Sequence, residues 1–266
     1  MTNEAFFPHS RNLSVAWTEV FLKLMDRGVE KLAPVIVTVT EFDDKTIPRE
    51  HTAIAKRLDQ ELRIHNCYSC QTVANTIFPE SLWNPSLGAQ AVFERYEKIW
   101  PRIKKHRRNS HGVYFRRLTA FSPKQDIGTS ARVNQLEHII DTYKQGNHRV
   151  SALQASIFDP THDHTHGRQL GFPCLQQVAF VPDGDAGLSV TGFYATQYAF
   201  ERAYGNFQGL CRLGRFMAAQ MGLSLVQMTC IAAVTRRSDP KRTKGDLRMF
   251  ADDLQQLLSN IKKESR

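Results

Sequence analysis

Residues 171–223, GFPCLQQVAFVPDGDAGLSVTGFYATQYAFERAYGNFQGLCRLGRFMAAQMGL, contain both periodicities that decide the fold. Residues 174–181 and 188–194 are apolar and rich in strand-forming side chains, which predicts two strands. The intervening PDGDAG, residues 182–187, is rich in turn formers, so the strands pair as a hairpin. Residues 207–221 are apolar on most faces and rich in Ala, Leu and Met, the pattern of a buried central helix. Strands and a buried helix thus follow one another within a single stretch of chain.

Working outward, residues 15–27 place Trp17, Val20, Phe21 and Leu24 at helical spacing, with Gly28 as a stop. PVIVTV, residues 34–39, reads as a strand. Residues 51–64 read as a helix, followed by a less regular section through Trp83, with Pro79, Pro85 and Gly88 as turns. Residues 90–103 and 133–143 are amphipathic helices, the second ending near Gly146. Residues 149–157 then read as a strand and residues 159–168 as a polar loop. A last helix spans 246–260. No internal repeat and no Gly- or Pro-rich linker divides the chain, so one domain over 1–266 is expected.

The composition, with 35 Lys and Arg against 26 Asp and Glu and a net charge of +9, favours anionic partners. The charge concentrates in RIKKHRR, residues 102–108, and RRSDPKRTKGDLR, residues 236–248. Such runs are commonly solvated faces, with nucleic acid as the alternative partner. There is no apolar run of membrane-spanning length and no signal-peptide layout at the start, so a cytoplasmic protein with no membrane partner is expected. Cys67, Cys70, Cys174, Cys211 and Cys230 are an odd set, expected as free thiols. Cys67 and Cys70 form a single CxxC after His65, which fits a buried structural pair better than a zinc site.

The opening stretch resembles the core of thymidylate synthase, in the superfamily that also holds deoxycytidylate hydroxymethylase. Pro173-Cys174 matches that family's nucleophile strand, and Gly205-Asn206-Phe207 matches the start of its central helix. The Cys–Asn spacing lies within one residue of the family's. Gly112-Val113-Tyr114 and the helix-then-basic-strand segment from Gln135 through His148 and Arg149 to Ser151 extend the match, so it covers about Val15 to Leu223. The resemblance implies a thymidylate-synthase-like α+β fold, a mixed β-sheet with surrounding helices and a buried central helix, and a homodimer packed sheet to sheet. It also implies a one-carbon (methyl or hydroxymethyl) transferase acting at C5 of a pyrimidine nucleotide or nucleoside. Cys174 would add to C6 as a thiolate, making C5 nucleophilic. Asn206 would read the base by donating to O4 and accepting from N3–H, although an Asn there also suits a helix N-cap. Tyr114, Tyr194 and Thr196 would line the substrate and Arg149 would meet an anionic group. The one-carbon donor would be methylenetetrahydrofolate.

The departures from the family pattern are specific. Its phosphate-binding Arg corresponds to Ala195, its pocket Asp to Tyr198, and the His after the nucleophile to Leu175. Leu32-Ala33-Pro34 replaces an early Arg loop, residues 73–78 carry no Glu to act as base, and residues 231–234 lack a sugar-binding His-x-Tyr. KKESR, residues 262–266, stands where an apolar folate-closing tail is expected. A lost bidentate Arg–phosphate contact costs on the order of a hundredfold in binding. The expected activity is therefore not ordinary deoxyuridylate methylation, and Tyr194, Tyr198 and Tyr204 suggest a more aromatic pocket. The alternative function is a non-catalytic homologue that binds a nucleotide or nucleic acid in a regulatory role. Separately, His162, His164 and His166 alternate on one segment beside Asp159 and are candidate ligands for a divalent metal.

Overall fold

A computed structural model describes residues 4–106, 109, 113–122, 132–164, 166 and 173–264. Its centre is a five-stranded mixed sheet, β2 (Val35–Val39), β7 (Ser224–Ala232), β5 (Gly187–Tyr194), β4 (Leu175–Asp183) and β3 (Gln154–Ser156), in that order. Only β5 and β7 are parallel, because helix α8 (Tyr204–Met221) carries the chain back between them. β4 and β5 form the hairpin, with Asp183 opposite Gly187. A second, small sheet joins β1 (Lys31–Leu32), β8 (Thr235–Arg236) and β6 (Gln197–Tyr198).

Each strand of the large sheet buries alternate residues. Leu188, Val190, Gly192 and Tyr194 of β5 face α8, together with Leu225, Met228 and Cys230 of β7. The intervening residues, among them Thr191, Phe193, Thr229 and Ile231, are half-buried or exposed. One sheet face is thus covered by helices and the other is open.

Helix α8 fits against this sheet because glycines remove side chains at the contacts. A Cβ on Gly192 would meet Leu210 at 2.8 Å, and one on Gly214 would meet Val190 at 2.7 Å. On its other flank lies α3 (Cys70–Ile77), where a Cβ on Gly205 would meet Val73 at 2.6 Å and one on Gly209 would meet Ile77 at 2.8 Å. Helix α1 (Leu13–Met25), capped by Asn12, packs on β2 and on the last helix, α9 (Arg248–Glu264). Helices α2 (Thr52–Ile64), α4 (Gly88–Lys104), α5 (Tyr114–Thr119) and α6 (Gln135–Gln145) complete the shell, with the four-residue α7 (Pro160–Asp163) between β3 and β4. Trp17, Phe21, Phe200 and Phe250 cluster where α1 and α9 meet the start of α8. The mixed α+β architecture agrees with the sequence pattern, and no helix among the described residues is long and apolar enough to cross a membrane.

Several elements differ from expectation. The strand expected over 149–157 is a 3-10 turn, Val150–Ala152, followed by three strand residues. Part of the irregular section before Trp83 is α3, and Gly88 begins a helix instead of ending in a turn. The polar loop starts as α7. Strand β7 was not anticipated. Helix α8 begins earlier than 207, and a π-helical turn, Ala199–Ala203, leads into it. Asn206 is therefore inside a continuous helix and does not cap it.

Candidate functional site around Cys174

Cys174 immediately precedes β4, and its carbonyl accepts a hydrogen bond from the Ala195 backbone N–H, 2.9 Å away, just past the end of β5. The next pair in the ladder is Leu175 with Tyr194, after which the register slips so that Gln176 bulges out of the strand. A bulge here re-aims the residues beside it. The Gln176 side chain turns back to the carbonyls of Pro173 and Cys174 and fixes the approach to the strand.

The register of α8 on β5 places Asn206. Gly214 lies over Val190 and Leu210 over Gly192. Four helical residues rise about 6 Å and two strand residues about 6.7 Å, so the first turn of α8, with Asn206, lies toward the Tyr194 end of β5. Asn206 is only 4% exposed, and its carboxamide makes no hydrogen bond to another described residue. One turn earlier, in the π-helical turn, comes Arg202. The hairpin and α8 thus bring Cys174, Tyr194, Asn206 and Arg202 to the same end of the sheet, although they are remote in sequence.

Electrostatics support that convergence. Burial pushes the Cys174 thiol up from its ordinary value, and the nearby Arg202 guanidinium opposes the rise. Burial also raises Tyr114, whose hydroxyl end sits inside the protein near the thiol. The backbone amides of Leu175 and Cys174 and the charge of Arg202 offset part of that shift. Tyr194 is raised well above the ordinary phenol, by burial and then by Cys230, Tyr114 and Cys174. Its hydroxyl is buried without a hydrogen-bond partner. Tyr198 is half-buried and also within the field of Cys174.

Other expected residues lie elsewhere. Tyr204 turns the opposite way, its hydroxyl 2.8 Å from both Ser14 Oγ and Glu50 Oε2 and its ring edge-on to Trp17. Arg149 is exposed and precedes the 3-10 turn at the far edge of the sheet. Thr196 is exposed just beyond β5, and Gly112 lies outside the described residues. His162 bonds Asp159 through Nδ1 at 2.6 Å, while Asp159 also caps α7 through Thr161. Burial would raise the Asp159 carboxyl, but Thr161 and His162 outweigh it and hold it below its ordinary value. His164 packs on Phe158 and His166 is exposed. Among the described residues no three His, Cys, Asp or Glu side chains converge to hold a metal. Cys67 and Cys70 form no disulfide, Cys70 being buried at the start of α3 and Cys67 lying 3.0 Å from the Arg242 guanidinium.

Arg202 was not singled out from the sequence. Its signal was its place one helical turn before Asn206, on the side that continues toward the cysteine. No protein-family model matches the chain, and no curated protein matches it.

Proposed function

We infer that the chain is a thymidylate-synthase-like transferase, built on that family's fold, which modifies C5 of a pyrimidine through Cys174. The observation that supports this reading is that Cys174 opens β4 at the end of the sheet where β5 closes and α8, with Asn206 in its first turn, begins. Cys174 as thiolate adds to C6, and the C5=C6 electrons move to C5 as an enolate delocalised onto O4. C5 then bonds to an electrophilic one-carbon unit, whose bond to its carrier breaks with the electron pair leaving on the carrier. Loss of the C5 proton and expulsion of the thiolate restore the ring. Arg202 favours the thiolate, and Asn206 reads the O4/N3–H edge of the base from a dry position where unmatched polar groups are costly. Tyr114 holds the backbone at Cys174, and the free hydroxyl of Tyr194 offers a further hydrogen bond to the substrate. Arg149 and Thr196 remain candidates for contacts outside this cluster.

By the resemblance the donor is methylenetetrahydrofolate. The open sheet face, with Phe193 at 40% exposure, supports a homodimer formed sheet to sheet.

A second reading, a non-catalytic homologue that binds a nucleotide, draws on the raised Cys174 thiol, which disfavours a nucleophile at neutral pH. Incubation with 5-fluoropyrimidine nucleosides and nucleotides, with and without methylenetetrahydrofolate, separates the two by intact mass. An adduct mapped to Cys174 and absent from Cys174→Ala supports the transferase. Nucleotide binding that is unchanged in Cys174→Ala, with no adduct, supports the homologue.

A further inference from the structure

Rings and cations alternate around the opening to Cys174. His106, exposed just beyond α4, lies beside Tyr68, with ring centroids 6.4 Å apart and the Tyr68 hydroxyl 3.5 Å from Nε2. The Arg202 guanidinium sits over the Tyr68 ring, 5.4 Å from its centroid. The Arg202 charge acts on the thiol, and Tyr198 follows shortly after Ala195, whose backbone N–H bonds the Cys174 carbonyl. In the small sheet Tyr198 of β6 pairs directly with Arg236 of β8, and Arg236 pairs with Lys31 of β1. Tyr68 with His106 and Arg202, and Tyr198 with Arg236 and Lys31, thus form a group of rings and cations near Cys174. Exposed Lys104 and Lys105 extend it beyond His106. Two carboxylates lie near Tyr198. Glu201 is bound by Ser238 and Arg242, and Asp239 by the Lys241 backbone N–H.

A free nucleotide presents one phosphate group to one clasp, and Ala195 stands where such a clasp is expected. A row of cations interleaved with partly exposed rings suits a longer polyanion, because rings stack on any base while cations follow the phosphates. A paired base is hidden from a half-buried thiol, whereas an unpaired one turns in at low cost. The geometry points to single-stranded nucleic acid as the substrate, lying along this rim with one pyrimidine turned in to Cys174. This rests on the transferase reading above and replaces a free nucleotide with a residue in a strand.

The test uses the full chain with fluorescein-labelled oligo(dT) and oligo(U) of about twelve nucleotides, near the upper range of single-strand site sizes. Anisotropy is followed across a salt series, with a duplex of the same length alongside. Strands that carry one 5-fluorodeoxyuridine or 5-fluorouridine are assayed in parallel for a covalent adduct. The expected result is strand binding at least tenfold tighter than duplex binding and weakened about tenfold by Tyr68→Ala or Tyr198→Ala. Arg236→Ala, at an exposed position, should lower the slope of log K against log salt by about one. A fluorinated strand should form the Cys174 adduct, and the better sugar identifies DNA or RNA. Absence of strand binding at low salt, or binding indifferent to all three substitutions, overturns the strand proposal. If 5-fluorodeoxyuridylate still reacts at Cys174 in that case, the transferase reading survives without it. Ring-dependent strand binding with no adduct from any strand or nucleotide overturns both.

Discussion

At the scale of single residues, Tyr194 separates folding from binding. Its hydroxyl is buried with no hydrogen-bond partner among the described residues, which is a cost to the free protein, and Cys230, Tyr114 and Cys174 lie near it. Tyr194→Phe removes the orphaned group without changing the ring. Urea unfolding should show stability held or raised by about 1 kcal/mol, while pyrimidine binding weakens. A stability loss comparable to that of a core truncation would mean the hydroxyl has a partner in the folded chain. Cys174 makes a second prediction. Burial raises its thiol, so its iodoacetamide alkylation rate should rise with pH through a midpoint above the ordinary 9.0. Arg202 opposes that rise, so Arg202→Ala should move the midpoint higher still. No change in Arg202→Ala would detach that guanidinium from the thiol.

At the scale of elements, the contact of α8 with α3 depends on Gly205 and Gly209. A Cβ at 205 would stand 2.6 Å from Val73 Cβ and 2.7 Å from the Cys70 carbonyl, so neither helix can accept it in place. Gly205→Ala should cost about 2 kcal/mol in urea denaturation, more than the helix-favouring Ala returns. Because 205 adjoins Asn206, it should also weaken pyrimidine binding. The hairpin and α8 were legible in the sequence because turn formers separate the strands and the helix is apolar on most faces. Strand β7 was not, because the ladder steps from Leu225 opposite Leu188 to Gln227 opposite Ser189, and that slip breaks the two-residue alternation of SLVQMTCIA. Helix α3 is only eight residues long, about two turns, too short for a clear period. Of the site, Cys174 and Asn206 were legible through their spacing, while Arg202 and Tyr68 join it only through the packing of separate elements.

At the scale of the whole molecule, the helices all serve one face of the large sheet. Phe193, Thr191, Thr229 and Ile231 lie on the other, a surface suited to a second copy meeting it face to face. Light scattering should give twice the chain mass, and Phe193→Arg should give the chain mass alone at the same concentration. A monomeric wild-type chain would end the dimer reading without touching the Cys174 site.

The clamping of α8 between sheet and helix also has a signature in time. With glycines tightening its contacts on two flanks, its amide hydrogens can reach water only when the entire core opens. They should be among the last to exchange with deuterium, at rates that report global unfolding. Rim residues such as His106 and Thr196 are exposed and should exchange far sooner. The wall that bears Asn206 would then hold still while the surface in front of it rearranges around whatever arrives.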